Sequence, residues 1–537
     1  MSASRWSLAP VLALFAAVSA SAQTPESEAY KAKVLAVSKK IDELIYAKQK
    51  EAGVKAGPKA EDGVYFRRLN IDLIGRIPNL LDIDDFLAND DADKRWQWVE
   101  RLLAHERAPS HLAALFRAHI IGTTGQFAAA FQPQFEAYLK DRFDKGTPYD
   151  KIVHEILTSG NAGGMGRGFG GPGGGGNPSA FFFVNENKPE NLASATTRVF
   201  LGVKLECAQC HPHPFAKWTQ EQFWEFAAFY SGQARFSPRP VMVPGMPVAL
   251  PKPGEIEIPG KKKVVKAKFL GGDAPAPMED SDDPQKVLAD WVVSAKNPYF
   301  AKATADFVWS NFFGVSLLEP IMEPNDDAPI THPELLDLLA REFIESKYDL
   351  KHLTRIIVHT EAYQRASVSK EKLAREDYDL FVRMPVRGLT PEQAFDSVAE
   401  ATDLRTKFTG PGMAVPFPGG PTNPRAEFLT KFVTQDRRHE TQTSILQALY
   451  LMNGKFLNDR LQPENNESLR ILMNQPTDAG KKVRALYLMV LSRQPRVEEL
   501  DRCVRYIDSG GPTHDHGKAV TDVYWALLNS GEFMLNH

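Results

Sequence analysis

Residues 62–78 read DGVYFRRLNIDLIGRIP, and helical segments of this kind fill most of the chain. Residues 62–74 predict a helix, and Pro78 then interrupts the helical pattern because proline cannot continue a helix. Arg67, Arg68 and Asp72 are charged residues inside this largely apolar segment. We expect them to form a buried ion-pair network beneath the first part of the protein.

Further helices are predicted on both sides of this segment. Val34, Ile41 and Ile45 recur at helical spacing in the segment that precedes it. The predicted helices of the first half are residues 28–53, 62–74, 81–87, 94–105, 110–121, 134–143, 150–157, 191–206 and 219–230. Those of the second half are residues 285–294, 299–313, 333–346, 350–360, 391–402, 441–453, 479–491, 497–507 and 517–529. The sequence therefore predicts a mainly α protein.

Residues 236–283 differ in composition from the helical segments around them. They are rich in proline, and residues 255–258 and 264–269 alternate in a way that predicts short strands. We therefore predict two helical domains, residues 28–235 and 284–537, joined by a small β-containing, Pro/Gly-rich insertion at 236–283.

The first 22 residues have the three parts of a signal peptide. Arg5 provides the positive start, residues 8–18 are apolar, and Ala20-Ser21-Ala22 fits a cleavage site after Ala22. The apolar part is too short to span a bilayer, and no later segment predicts a transmembrane helix. We expect a periplasmic or secreted protein.

Composition excludes some classes of partner. The chain has 64 Lys and Arg against 67 Asp and Glu, a net charge of −3, so it lacks the basic character of a nucleic-acid-binding protein. Its three cysteines are too few for a disulfide scaffold. Because no P-loop, HExxH or nucleophile-elbow signature is present, the sequence assigns no reaction.

Residues 207–211 read CAQCH, which is the spacing for covalent attachment of haem c. Cys207 and Cys210 would bond the porphyrin vinyl groups, and His211 would bind the iron. We predict that the helix at 191–206 leads into this motif and presents all three side chains on one face. Met242 and Met246 are candidates for the sixth ligand, although packing of a loop against the core explains each of them better. The predicted function is electron transfer with a redox partner protein.

Two other interpretations of the motif stay open. Cys207, Cys210, His211 and His213 are all metal-binding residue types, so an enzyme or binding protein with zinc or non-haem iron is one alternative. Adjacent residues such as Cys210 and His211 do not readily bind one tetrahedral ion together, so His213 is the better partner for the two thiols. A non-catalytic scaffold with a Cys207–Cys210 disulfide is the other alternative.

The chain also resembles a known family. Blocks that carry the resemblance are residues 66–78, 200–215 with Trp218, 288–291, 297–300, 332–336, 348–353 and 448–453. Residues 41–229 and 288–537 resemble planctomycete-type secreted proteins that pair a cytochrome-like domain of unknown function with a second domain of unknown function. The resemblance implies a cytochrome-like first domain. Pro212 and the pair Asp306-Phe307 depart from the family pattern, which has a polar residue and Asn-Arg there.

Overall fold

The structure is a computed structural model that describes residues 25–122, 126–161, 176–214, 217–236, 252–279, 281–318, 331–367, 379–404, 424–432 and 450–537. The helices of the first half are α1 (Pro25–Glu51), α2 (Asp62–Ile74), α3 (Leu80–Ala88), α4 (Lys94–Leu103), α5 (Ala108–Ile121), α6 (Gln126–Asp144), α7 (Tyr149–Thr158), α8 (Ala180–Val184), α9 (Pro189–Phe200) and α10 (Gln220–Ala227). Short 3-10 turns lie at Ser159–Asn161, Glu206–Gln209 and Ala228–Phe236.

Helices also dominate the second half. They are α11 (Pro284–Val292), α12 (Phe300–Phe313), α13 (Pro333–Glu345), α14 (Leu350–Val358), α15 (Pro391–Ala401), α16 (Pro424–Phe432), α17 (Lys455–Arg460), α18 (Glu467–Asn474), α19 (Ala479–Leu491), α20 (Val497–Asp508) and α21 (His516–Leu528). Further 3-10 turns lie at Pro463–Asn465 and Gly511–Thr513. The prediction of a mainly α protein is confirmed.

Extended structure is limited to two small antiparallel sheets among the described residues. Strands β1 (Glu255–Ile258) and β2 (Lys263–Lys266) form a hairpin inside the predicted insertion, with Glu255 opposite Lys266. The other sheet pairs β3 (Arg387–Gly388) with β4 (Leu535–Asn536). The alternating pattern therefore predicted the β1–β2 hairpin correctly, whereas the pairing of two-residue strands that lie far apart in the chain gives no periodic signal.

The apolar core extends through both predicted domains. One cluster of buried side chains combines residues of α1–α10 with residues of α11–α14. In this cluster, the ring of Phe116 on α5 lies 5.0 Å from that of Phe307 on α12, and Tyr149 stacks on Phe300 at 5.9 Å. A second cluster packs Ile71 and Ile77 against α15 and α17–α21. The domain boundaries stay a prediction, and the two regions share their core.

Helix α2 contacts both apolar clusters. Its Leu69 and Leu73 belong to the first cluster and Ile71 belongs to the second. The helix ends where Gly75 adopts φ 76°, a left-handed conformation that glycine allows, and donates its N–H to the carbonyl of Ile71 at 3.1 Å. Gly63 lies against the chain after α19, because a Cβ there would be 2.4 Å from the carbonyl oxygen of Ser492. Close approach of two backbones therefore sets the position of α2.

The two arginines of α2 are fully buried and bind backbone carbonyls. Arg67 donates to the carbonyls of Val490 and Phe533, each at 2.8 Å. Arg68 donates to the carbonyls of Tyr363, Arg365 and His537. The expected burial is confirmed, but the expected pairing with acidic side chains is wrong for these two residues because backbone carbonyls of the second half supply the acceptors.

Asp72 is the acidic residue of this buried network. Its carboxylate accepts hydrogen bonds from Arg387 at 2.9 Å, from the hydroxyl of Tyr363 at 2.8 Å and from the amide of Asn536 at 2.8 Å. Burial raises the pKa of Asp72, and the charge of Arg387 opposes that rise. The ion pair therefore joins α2 to β3 in the second half of the chain.

Two predicted helix ends differ from the structure. The helix predicted at 191–206 ends at Phe200, because Gly202 adopts φ 67° and the N–H of Val203 turns back to the carbonyl of Thr197 at 2.8 Å. Thr331, which precedes the predicted helix 333–346, is a residue type that favours the cap position, but His332 occupies that position. The ring of His332 instead hydrogen-bonds the carbonyl of Asp379 at 2.8 Å.

Several predictions fall on residues outside the described ranges. These are the signal peptide at 1–22, the candidate ligands Met242 and Met246, and most of the predicted helix at 441–453. Of the helices that the structure describes, none combines the length and the apolar character needed to cross a bilayer.

Candidate functional site

The CAQCH motif lies on a short turn between α9 and α10. The 3-10 turn Glu206–Gln209 contains Cys207, and Cys210 follows directly with φ −106° and ψ −32°, which continues the same turn. A 3-10 helix has three residues per turn, so residues three apart lie on the same side. The two cysteines therefore share one side of a 3-10 turn, rather than the face of an α-helix that the sequence predicted.

Apolar residues fix the ends of this turn in the protein. Leu205 and Ala208 are fully buried, and the N–H of Ala208 donates to the carbonyl of Leu205 at 2.9 Å. Phe200 and Val203 are packed in the first apolar cluster. They stabilise the chain before the motif and do not themselves line an open haem pocket.

Helix α10 anchors the turn from its other end. The indole N–H of Trp224 and the side-chain amide of Gln220 both donate to the carbonyl of Gln209, each at 3.1 Å. Thr219 and Gln222 form a reciprocal capping box at the start of α10, which holds this end of the helix in place. A threonine at the start of the predicted helix 219–230 is typical of a helix cap, but nothing in the sequence indicated that α10 holds the turn through Gln209.

The three residues that the sequence predicts to attach haem are all at the surface. Cys207 and Cys210 are exposed free thiols, and His211 is exposed. Nδ1 of His211 lies 2.8 Å from the carbonyl oxygen of Pro212. Since a carbonyl only accepts hydrogen bonds, Nδ1 is the donor in this contact, and in the neutral ring Nε2 then keeps its lone pair. The motif thus presents two thiols and a metal-binding imidazole nitrogen to the solvent.

His213 differs from His211 in its surroundings. Only 6% of its surface is exposed, and its backbone N–H donates to the carbonyl of Trp218 at 2.8 Å. This bond closes the loop between the motif and α10. No group of three His, Cys, Asp or Glu side chains within the described ranges is arranged to hold a metal ion. The structure therefore does not bring Cys207, Cys210, His211 and His213 together, and the zinc or iron site stays a prediction.

The third cysteine lies far from this turn. Cys503 on α20 is half-buried and packs at the edge of the second apolar cluster. Burial raises the pKa of its thiol, although a hydrogen bond with Tyr487 opposes the rise. A thiol of raised pKa is a weak nucleophile at neutral pH, so Cys503 has the properties of a core residue.

Fold and motif together define a mainly helical protein with an exposed Cys/Cys/His turn. Residues 40–235 match the family described as PSCyt2, protein of unknown function (DUF1549), and residues 284–427 match the family described as PSD1, protein of unknown function (DUF1553). The chain therefore contains two domains of unknown function. Neither the curated proteins nor the solved structures provide a match to this chain.

Proposed function

We propose that this chain is an exported cytochrome-like protein with one haem c attached to Cys207 and Cys210 and ligated by His211. It transfers electrons to or from a redox partner protein. The observation that carries the proposal is the state of the motif, in which two free thiols on one side of a turn adjoin an imidazole whose Nε2 is available. The name PSCyt2 of the matched family agrees with a cytochrome-like role.

Each residue of the turn has a defined task in this proposal. The thiols of Cys207 and Cys210 would each add across one vinyl group of haem. Each addition would replace the S–H bond and the C=C double bond by a C–S bond, a C–H bond and a C–C single bond. The Nδ1–H bond of His211 to Pro212 fixes the tautomer in which Nε2 binds metal and raises the basicity of that nitrogen. Haem supplies one-electron chemistry when it is bound.

The anchoring of the turn supports the same role. The bond of Trp224 to Gln209 keeps the segment between the two cysteines in a fixed position. A rigid attachment site limits the reorganisation that accompanies electron transfer and keeps ligand geometry constant. We expect Trp224→Phe to preserve haem attachment and to increase amide exchange at residues 208–211, because loss of one hydrogen bond costs about 1 kcal/mol.

Haem staining of the full chain tests the proposal. The protein is made in a host with haem c maturation, separated on a denaturing gel and stained for haem peroxidase activity. We expect a stained band for the wild type and for the control Cys503→Ala, and no stain for Cys207→Ala/Cys210→Ala. An unstained wild-type band would reject the proposal. A haem-free preparation that holds one zinc ion per chain and loses it in the double variant would support the metal alternative instead.

The iron ligand is tested by a spectrum. In the reduced protein, His211→Ala changes the position of the α-band, whereas His213→Gln leaves it in place because His213 is buried in the loop that leads to Trp218. An unchanged band in His211→Ala would remove His211 from the proposed site.

A further inference from the structure

A cavity of about 390 Å³ lies between the two regions that match the family models. Helices α2 and α5 and the end of α6 line it from the first region, and α12, the start of α14, β3 and α15 line it from the second. Ligand sites in proteins typically have volumes of about 300–1,000 Å³ and commonly lie between domains. The cavity has the size and the position of a small-molecule site.

Its walls are largely apolar. Leu112, Leu115 and Phe116 of α5 face the same cavity as Val308 and Phe312 of α12. Leu112 and Leu115 are only half-buried, so part of their apolar surface is open to water. Covering such surface is favourable by about 25 cal/mol per Å². An apolar molecule is therefore the matching occupant for these walls.

The buried end of the cavity offers a ligand little hydrogen bonding. Asp72 and Arg387 line this end, and both oxygens of Asp72 already accept bonds from Arg387. The remaining acceptor capacity of Asp72 is used by Tyr363 and Asn536. A charged ligand group at this end would disrupt the buried pair of Asp72 and Arg387, which is costly. The apolar end of a ligand belongs here.

The open end carries positive charge. The exposed lining residues at this end are Gly146, Pro148, Lys347, Asp349 and Gly388. The first four lie in two turns, which are joined by the hydrogen bond from the N–H of Tyr149 to the carbonyl of Tyr348 at 3.1 Å. Within the described ranges, neither Lys347 nor Lys351 forms an ion pair. Asp349 caps α14 and accepts a bond from the N–H of Lys351 at 2.8 Å. The rim therefore carries two lysines against one carboxylate, that of Asp349, and this excess of positive charge favours an anion at this end.

The turn that forms this rim has an unusual backbone. Lys347 and Tyr348 have φ values of 57° and 61°, although neither is glycine. Tyr348 is held there by the bond from its N–H to Phe343 at 2.8 Å and by packing of its buried ring. Such conformations cost about 1–3 kcal/mol each and are concentrated at ligand sites.

We propose that this cavity binds a small amphiphilic anion, with its apolar body between α5 and α12 and its carboxylate or similar group at Lys347 and Lys351. The site is separate from the Cys/Cys/His turn and does not depend on haem attachment. The ligand class follows from the apolar walls, from a buried end at which the Asp72 carboxylate is already fully hydrogen-bonded, and from the excess of lysine at the rim.

Titration of the full chain with dodecanoate, dodecan-1-ol and dodecylammonium tests this site. Dodecanoate is expected to bind at one per chain and more tightly than the alcohol or the ammonium probe. Lys351→Gln is expected to weaken the binding of dodecanoate about two- to fivefold, which is the range of an exposed ion pair. The same variant should leave the affinity for dodecan-1-ol unchanged. Equal binding of all three probes, or no saturable binding of dodecanoate, would overturn the proposal.

Filling the cavity provides the second arm of the test. Leu112→Trp should weaken the binding of dodecanoate at least about tenfold, equivalent to about 1.4 kcal/mol. Leu81→Trp is the control and should not change this affinity, because Leu81 is 81% exposed and lies outside the cavity. Leu115→Trp fills the same space and replaces Leu112→Trp if that variant does not fold. Unchanged affinity in a folded cavity-filling variant would place the bound probe elsewhere and contradict the proposal.

Discussion

Removal of the Asp72 carboxylate should destabilise the whole chain. Asp72→Ala deletes the acceptor of Arg387, Tyr363 and Asn536, and the side chains of Asp72 and Arg387 are only 4% and 10% exposed. Breaking a buried pair leaves an uncompensated charge, which costs about 3–5 kcal/mol. We expect the free energy of unfolding to fall by about this amount.

An exposed ion pair whose acidic residue also lies in the first half of the chain gives the matched control. Asp85 and Arg101 lie 3.5 Å apart, and their side chains are 61% and 59% exposed. Because water screens this pair, Asp85→Ala should change stability by less than about 1 kcal/mol. Both variants are measured by urea unfolding, followed by tryptophan fluorescence and by circular dichroism, which must give coincident transitions.

The double variant distinguishes a specific pair from general damage. Arg387→Met in the Asp72→Ala background removes the stranded charge, so the double variant should be more stable than the sum of the single losses by about 1–3 kcal/mol. Additive losses, or a loss in Asp72→Ala as small as that in Asp85→Ala, would refute the reasoning about the buried pair.

Two further predictions follow from close packing and from ionisation. Gly63→Ala should cost about 1–3 kcal/mol, since its Cβ would lie 2.4 Å from the carbonyl oxygen of Ser492, while Gly531→Ala, with open space around it, should be nearly neutral in thermal unfolding. A hydrogen bond from Arg493 holds the pKa of Glu499 at about 2, below its ordinary value of 4.5. A depressed pKa stabilises the folded state above pH 4.5, so Glu499→Gln should lower the free energy of unfolding by about 1 kcal/mol at pH 7 after allowance for screening. The difference in stability from the wild type should shrink as the pH falls from 4.5 towards 2, and a constant difference would contradict this.

Helix positions were the most predictable part of the fold. Apolar spacing and caps are local signals, so α10 with its Thr219 cap and the hairpin β1–β2 are where the sequence predicts them. The end of α9 was missed because the left-handed conformation of Gly202 outweighs the helical pattern that continues towards Glu206. The local sequence pattern alone does not distinguish a glycine that ends a helix from one that lies inside a helix.

Long-range partners were the least predictable part. The sequence indicated that Arg67, Arg68 and Asp72 are buried, but their acceptors and donors are 291–469 residues away in the chain. The Cys/Cys/His turn was recognisable as a motif in the sequence. Its hydrogen bond from the indole of Trp224 goes to the backbone carbonyl of Gln209, and the residue type at position 209 does not indicate such a bond. For the same reason, the cavity between α5 and α12 gave no signal in the sequence.

The burial of Arg67 has a consequence for the order of folding. Its acceptors at Val490 and Phe533 are 423 and 466 residues further along the chain. At a synthesis rate of about 5–20 residues per second, residue 533 is made roughly 25–90 s after Arg67. Until then α2 has no acceptors for this guanidinium in a dry environment, so the early helices cannot complete their packing. We therefore expect α2 to stay incompletely packed over this interval, which leaves the nascent chain vulnerable to proteases.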